Sequence, residues 1–188
     1  MLNNKVCYLG NDKLIVKDNN VYIDDLELKL LGSGVDGYVY KYNGKALKLY
    51  HDNFYVKEHL TKNQINLLCS LFTENIILPM EIITSTEENP GFSMEYIKLD
   101  NNQDILNINL DILINELKKL EDELFMLGKN NFLLNDKLVN NLYFSNKLYL
   151  LDPDSFIYDE KVDFSYKNIE VFNWYFIRDI IFNLDNNL

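Results

Sequence analysis

Long apolar runs, basic side chains and cysteine are scarce in this 188-residue chain. No stretch approaches the roughly 20 consecutive apolar residues that cross a bilayer. The opening MLNNKVCYLG lacks the basic stretch and apolar core of a secretory signal, so a cytoplasmic protein is expected. Two cysteines, Cys7 and Cys69, are too few for a disulfide framework or a thiolate metal cluster, and both are expected as free thiols. Lys and Arg number 18 against 29 Asp and Glu, a formal net charge of −11 with a pI near 4.6. Such a field repels phosphate backbones and anionic lipid headgroups, which argues against nucleic acid and membrane surfaces as partners. With three prolines (Pro79, Pro90, Pro153), no Gly/Ser/Pro-rich linker and no internal repeat, the chain reads as one compact globular domain.

What is abundant is aromatic and β-favouring. Thirteen Tyr and eleven Phe supply much of the apolar volume. Runs at Lys5–Leu9, Leu14–Val16, Val21–Ile23, Leu26–Leu31, Tyr38–Tyr42 and Lys45–Tyr50 predict short strands separated by Asn, Asp and Gly. Asn43-Gly44 suits a two-residue type I′ turn, whose two central residues need positive φ, so the last two runs should be antiparallel neighbours. Apolar spacing through Leu60, Ile65, Leu68 and Phe72 predicts a helix over Asn53–Phe72, with Asp52 or Asn53 as its N-cap. Ile76–Ile83 and Gly91–Ile97 read as two further strands. Leu110, Leu113, Leu117, Leu120, Leu124 and Leu127 mark an amphipathic helix over Asn109–Leu127 that Gly128 should stop. Two short strands, Asn141–Phe144 and Leu148–Leu151, and an apolar helix over Asn168–Phe182 complete the pattern.

The glycines carry the first chemical signal. Leu31-Gly32-Ser33-Gly34-Val35-Asp36-Gly37-Tyr38-Val39 contains G-x-G-x-x-G-x-V. A dinucleotide fingerprint must open a helix. Here the segment lies between strands and suits a flap, where missing side chains let backbone amides approach nucleotide phosphates. On the neighbouring strand Ala46 is small enough for an adenine ring to pack on, and Lys48 sits between the apolar Leu47 and Leu49. A lysine in that setting is either a solvated edge charge or a phosphate anchor, and burial would demand a carboxylate partner. Glu58 suits that role better than Glu74 or Glu81. Farther on, Asp136 and Asn141 stand five apart in a polar loop, and Asp152 ends an apolar strand. Such a set can orient a hydroxyl and hold Mg²⁺ through hard oxygen ligands, although a polar turn with a strand-ending Asp has the same pattern.

In this order the motifs resemble the protein kinase-like superfamily over about residues 26–156: the flap Gly32–Val39 with Gly34 and Gly37, Ala46-x-Lys48, Glu58, Met94-Glu95-Tyr96-Ile97 as hinge, Asp136 to Asn141, and Asp152. The resemblance implies an α+β fold with two lobes and ATP between them. Residues 1–97 would form an antiparallel β-sheet N-lobe with one main helix and extra N-terminal strands, and residues 98–188 a small, mainly helical C-lobe. It implies that Lys48 holds the α- and β-phosphates and pairs with Glu58, that Asp136 positions or deprotonates the acceptor hydroxyl, and that Asn141 and Asp152 bind Mg²⁺. The backbone near Glu95, Tyr96 and Ile97 would hydrogen-bond adenine, with Val39 and Ala46 beside it and Met94 at the gate behind.

The family's usual His-Arg before the catalytic Asp is Leu134-Asn135 here, and its Asp-Phe-Gly triplet is Asp152-Pro153-Asp154. Pro153 fixes φ and removes a donor, so an in-and-out flip of the triplet is not expected. The chain after Asp152 is short, which suggests a reduced C-lobe and either a small acceptor or a partner protein that supplies the docking surface. The expected activity is ATP- and Mg²⁺-dependent phosphoryl transfer to a protein Ser/Thr hydroxyl. The alternatives are a pseudokinase that binds nucleotide or a partner without catalysis, a small-molecule kinase, and a kinase-like site that transfers a nucleotidyl group.

Other features read as structural. His51 and His59 have no ligand cluster around them. Asp152 and Asp154 should alternate across a strand end and point apart, which removes them as a glycosidase pair. Tyr143, Tyr149, Trp174, Tyr175 and Phe176 read as core, and Glu121-Asp122-Glu123 as a solvated helix face. The segment Met1–Asp25 either caps the sheet or forms an interface.

Overall fold

The computed structural model describes residues 5–51, 60–85, 90–98, 109–135, 142–145 and 147–174. The chain divides into two compact units. One comprises Met1–Phe72 with Leu78–Ile97, the other Thr73–Ile77 with Lys98–Leu188. Among the described residues the architecture is α+β, with a large antiparallel sheet and three α-helices. Among the described residues no helix is long and apolar enough to cross a membrane.

The first unit is built on a nine-stranded sheet. Its strands are β1 (Lys5–Leu9), β2 (Asp12–Lys17), β3 (Asn20–Ile23), β4 (Leu26–Glu27), β5 (Lys29–Ser33), β6 (Gly37–Tyr42), β7 (Lys45–Tyr50), β8 (Pro79–Ser85) and β9 (Gly91–Glu95). Their order is β4-β3-β2-β1-β8-β9-β7-β6-β5, and every pairing is antiparallel. Three hairpins turn on adjacent residues with positive φ: Asp18-Asn19 (50°, 65°), Asp24-Asp25 (49°, 65°) and Asn43-Gly44 (45°, 75°). Asn and Asp tolerate that region better than other side-chain-bearing residues, which explains the polar punctuation between strands. The expected single strand Leu26–Leu31 divides at Leu28, whose side chain is buried. The expected strand from Ile76 begins only at Pro79.

The strands β1–β3 continue the sheet beyond β8 and share a core with β6 and β7. Cys7, Leu9, Leu14, Val21, Ile23 and Leu28 form one apolar core with Tyr40 and Leu47, Leu49 and Ile83. Polar tips at the rim close it: the Tyr40 hydroxyl donates to the Asn19 carbonyl, and the Tyr42 hydroxyl donates to the Asp12 carboxylate at 3.0 Å. Burial, helped by neighbouring Tyr38, pushes the Tyr40 phenol up to about 12. The described strands of Met1–Asp25 are members of the sheet, joined to it through the β1–β8 pairing.

Helix α1 (Lys62–Cys69) is capped by Thr61; Asp52 and Asn53, the expected N-caps of the longer helix, lie outside the described residues. The Thr61 hydroxyl accepts from the Gln64 N–H at 3.4 Å, and the Gln64 side chain accepts from the Thr61 N–H at 2.8 Å, a reciprocal capping box. Ile65 and Leu68 are its buried face. Neither Cys7 nor Cys69 forms a disulfide. Cys7 is buried, and Cys69 is half-buried with its thiol pushed up by that burial.

The second unit is organised by α2 (Leu110–Lys129), which buries Leu113, Leu120, Leu124 and Leu127. The Asn109 side chain accepts from the Asp111 N–H at 2.9 Å and caps its start. Gly128 does not stop the helix. It lies within the last turn, which ends at Asn130 and the left-handed Asn131 (φ 68°). Its missing side chain serves packing, since a Cβ there would lie 2.3 Å from the Ser165 backbone. Residues 165–174 form the third helix, α3. Around these lie the pairs β10 (Phe132–Leu133) with β13 (Ile157–Tyr158) and β11 (Leu142–Ser145) with β12 (Lys147–Leu150).

Two acidic residues of α2 hold the short segment 73–77. The Glu123 carboxylate accepts from the backbone N–H groups of Glu74 (2.6 Å), Asn75 (3.1 Å) and Ile76 (2.9 Å), so it is a structural acceptor and not a solvated face. Buried Glu116 accepts from the Asn75 amide at 2.9 Å, the Leu148 N–H at 3.2 Å and Lys119 at 2.7 Å. Trp174 also departs from expectation, being 68% exposed and outside the core. Tyr143 and Tyr149 are half-buried, and Tyr175 and Phe176 lie outside the described residues.

Candidate functional site

Strand register determines which of the expected site residues share a surface. Directly opposed residues in an antiparallel ladder lie on the same face. In β6, β7 and β9 the opposed rows are Val39, Lys48 and Phe92, then Lys41, Ala46 and Met94. Gly32 of β5 faces Val39 and extends the first row. The alternate row, Tyr40 with Leu47, belongs to the core beneath β1–β3. One face of the sheet is thus consumed by packing, and the other collects Gly32, Val39, Ala46, Lys48 and Met94. Lys48 is only 6% exposed on that face, and Ala46 is also buried.

The turn between β5 and β6 is tied down at several points. The Gly34 N–H donates to the Gly37 carbonyl at 2.9 Å, and the His51 N–H donates to the Asp36 carbonyl at 3.0 Å. The His51 ring nitrogen Nε2 lies 3.1 Å from the Gly34 carbonyl, while its ring meets Tyr38 edge-on with centroids 4.5 Å apart. The three glycines of the motif are needed for different reasons. A Cβ on Gly37 would lie 2.1 Å from the Leu49 carbonyl oxygen, so close strand packing requires glycine there. A Cβ on Gly32 or Gly34 would meet nothing within 4 Å. Among the described residues nothing crowds these two positions, so the backbone there is bare of side chains, with a register irregularity between Leu30 and Gly32.

Lys48 has an acidic neighbour that the sequence reading did not consider. Its Nζ lies 3.9 Å from Oδ2 of Asp36, the residue before the last glycine of the motif, and 5.9 Å from the centre of the Tyr50 ring. On the neighbouring strand β9, Gly91 (φ 149°) allows close approach, since a Cβ there would lie 1.9 Å from the Lys48 carbonyl oxygen. At the end of β9, Met94 is half-buried and Glu95 exposed, and the Tyr96 ring lies beneath the Lys41 ammonium at 4.2 Å. Ile97 is half-buried and ends the unit. Glu58, the expected carboxylate partner of Lys48, lies outside the described residues.

In the second unit Asp152 follows β12 and adopts a left-handed backbone (φ 71°, ψ 55°) before a 3-10 turn over Pro153–Ser155. Such a conformation costs about 1 kcal/mol for a non-glycine residue and tends to persist where a side chain must be aimed. The Ser155 hydroxyl donates to the Asp152 carboxylate at 3.2 Å. Asp152 and Asp154 therefore belong to one turn and do not alternate along a strand. Asp154 is fully buried and Asp152 half-buried. Asp136 and Asn141 lie outside the described residues. The approach to Asp136, however, is anchored by a residue that sequence reasoning passed over as a helix start. Asn168 is fully buried; its Oδ1 accepts from the Leu134 N–H at 2.6 Å, and its Nδ2 donates to the carbonyls of Leu124 at 2.9 Å and Phe132 at 2.8 Å. A lone amide among the apolar positions of a helix was the available signal, since burial obliges it to find partners.

The carboxylate of Asp152 is a hard oxygen donor of the kind Mg²⁺ selects. Among the described residues no group of three or more His, Cys, Asp or Glu side chains forms a self-sufficient metal cage.

No family model matches the chain, and no curated protein matches its sequence. Among solved structures the chain is similar to the "Legionella pneumophila Lpg2603 kinase bound to IP6", at 22% identity over 93% of this chain and 73% of that one, with a TM-score of 0.48.

Proposed function

We propose that the protein is an ATP- and Mg²⁺-dependent phosphotransferase of the kinase-like kind, acting on a protein Ser/Thr hydroxyl. The observation that carries this reading is the shared face of Gly32, Val39, Ala46 and Lys48, with a buried ammonium and two glycines that the fold itself does not require. A flat apolar surface at Val39 and Ala46 suits a purine ring. The backbone at Gly32 and Gly34, bare of side chains, lets phosphate oxygens approach closely, and the Lys48 ammonium in a low-dielectric setting attracts them strongly. Glu95, Tyr96 and Ile97 provide the backbone groups for adenine, with Met94 at the gate behind. Asp136 is assigned to orient or deprotonate the acceptor hydroxyl, with Asn141 and Asp152 as oxygen ligands of Mg²⁺, which when bound neutralises phosphate charge. Catalysis of this kind is mostly positioning and charge neutralisation, so the rigid turn at Asp152-Pro153 suits it.

The test is calorimetric titration with ATP, with and without Mg²⁺, on the wild type, Lys48→Ala and Asp152→Asn, followed by radiolabel transfer on the same samples. Expected are Mg²⁺-dependent binding weakened in both variants and transfer by the wild type alone. Binding without transfer to itself or to added protein would favour a non-catalytic, pseudokinase role. Absence of binding would overturn the reading, and a nucleotidyl adduct in the product mass spectrum would change the group transferred.

A further inference from the structure

The glycine-rich turn carries its own anion. Asp36 occupies the position immediately before Gly37, its carboxylate 3.9 Å from the Lys48 ammonium, and the two side chains are 27% and 8% exposed. The turn that presents it is held by the Gly34 N–H to Gly37 carbonyl bond and by two contacts to His51, one of them to the Asp36 carbonyl itself. Asp36 is therefore delivered to Lys48 by a braced backbone and not by a wandering side chain. At 3.9 Å the pair lies within ion-pairing range but beyond a direct hydrogen bond, whereas a phosphate oxygen on an ammonium sits at about 2.8 Å. We propose, on the footing of nucleotide binding at this face, that Asp36 is a resident counter-anion whose carboxylate neutralises Lys48 until polyphosphate takes its place. It thereby sets the affinity for the phosphate portion of the nucleotide and not for the base.

Exchange follows from charge. A buried ammonium is stabilised by an anion near it, and bringing a tetra-anionic triphosphate beside a fixed carboxylate is repulsive. Phosphate entry must therefore displace Asp36 or bear its repulsion, and in either case the carboxylate weakens binding. Selectivity results as well: a weakly charged ligand gains little over Asp36, whereas a triphosphate chelated by Mg²⁺ carries less net charge and meets less repulsion.

The experiment measures calorimetric affinities of ATP, inorganic tripolyphosphate and adenosine, each with and without Mg²⁺, for the wild type, Asp36→Asn, Asp36→Glu and Asp36→Asn combined with Lys48→Met. Thermal unfolding without ligand checks that each variant is folded. Asp36→Asn should bind ATP and tripolyphosphate about five- to tenfold more tightly, most clearly without Mg²⁺, and adenosine unchanged. Asp36→Glu should restore wild-type affinity, and Lys48→Met should erase the gain. Wild-type binding of ATP with Asp36→Asn equal or weaker would overturn the counter-anion role, and a loss confined to Mg²⁺-containing samples would assign Asp36 to the cation instead. Absence of ATP binding by every folded variant would overturn the nucleotide reading and the counter-anion role with it.

Discussion

Replacing Asn168 removes the junction that joins α2, β10 and α3 inside the second unit. Its amide makes three hydrogen bonds, to the Leu134 N–H, the Leu124 carbonyl and the Phe132 carbonyl, and the residue is fully buried. In Asn168→Ala the Leu134 N–H is left in a dry site without its acceptor, a loss of about 1–3 kcal/mol, and each carbonyl forfeits a bond worth about 1 kcal/mol. Partial relaxation offsets some of this, so the net cost is about 3 kcal/mol. For a chain of this size that corresponds to a melting temperature lower by roughly 10 °C. Asn168→Asp is the sharper probe. It keeps the shape and the acceptor facing Leu134 but sets a carboxylate oxygen against two carbonyls, and it should be at least as destabilising as alanine at neutral pH. Burial raises the pKa of that new carboxyl in the folded state, so its folded form is favoured at low pH and the deficit grows as pH rises through the raised value. Urea unfolding followed by circular dichroism at several pH values reads both effects. A loss below about 1 kcal/mol for Asn168→Ala, or an aspartate variant as stable as the wild type at neutral pH, would refute the assignment of the amide as a double donor.

Two further perturbations separate packing from chemistry. Gly37→Ala drives a Cβ to 2.1 Å from the Leu49 carbonyl and should cost about 2–3 kcal/mol in thermal unfolding, whereas Gly34→Ala, with nothing within 4 Å, should cost under about 0.5 kcal/mol and reduce only ATP affinity. Burial works to raise the Glu116 carboxyl, but the Lys119 ammonium, the Asn75 amide and the Leu148 N–H outweigh it and hold the carboxyl below its ordinary value. Its stabilisation is therefore present above about pH 4.5 and lost as pH falls through the depressed folded value. Glu116→Gln should be about 1–2 kcal/mol less stable at pH 7 and show a flatter acid limb, and an unchanged limb in acid denaturation would sink the assignment.

Much of the first unit was legible because short-range chemistry dictates it. Strands β1 and β7 have the bounds their residue patterns predict, and Asn43-Gly44 turns between β6 and β7 with positive φ at both residues, which Asn and Gly tolerate well. The boundaries that failed did so where a distant residue intervened. Leu28 breaks the run Leu26–Leu31 because its side chain is drawn into the core. Gly128 signals a helix end in any local reading, yet α2 continues past it because the glycine accommodates the Ser165 backbone. Glu123 reads as a surface charge until the N–H groups of Glu74, Asn75 and Ile76 are placed against it.

The sequence by itself determined the alternation that divides the β6 and β7 side chains between two faces, the glycine-rich turn between strands, and the residue types suited to phosphate and metal. Period-two geometry and turn chemistry are local properties, and neighbouring residues suffice to set them. The tertiary structure alone decided which face is consumed by the N-terminal strands, why Gly37 differs from Gly34, that Asp36 reaches Lys48, and that Asn168 anchors the backbone of Leu134. Each of these depends on close approach between segments separated along the chain, where a carbonyl at 2 Å or a carboxylate at 4 Å changes the meaning of a residue without changing its identity.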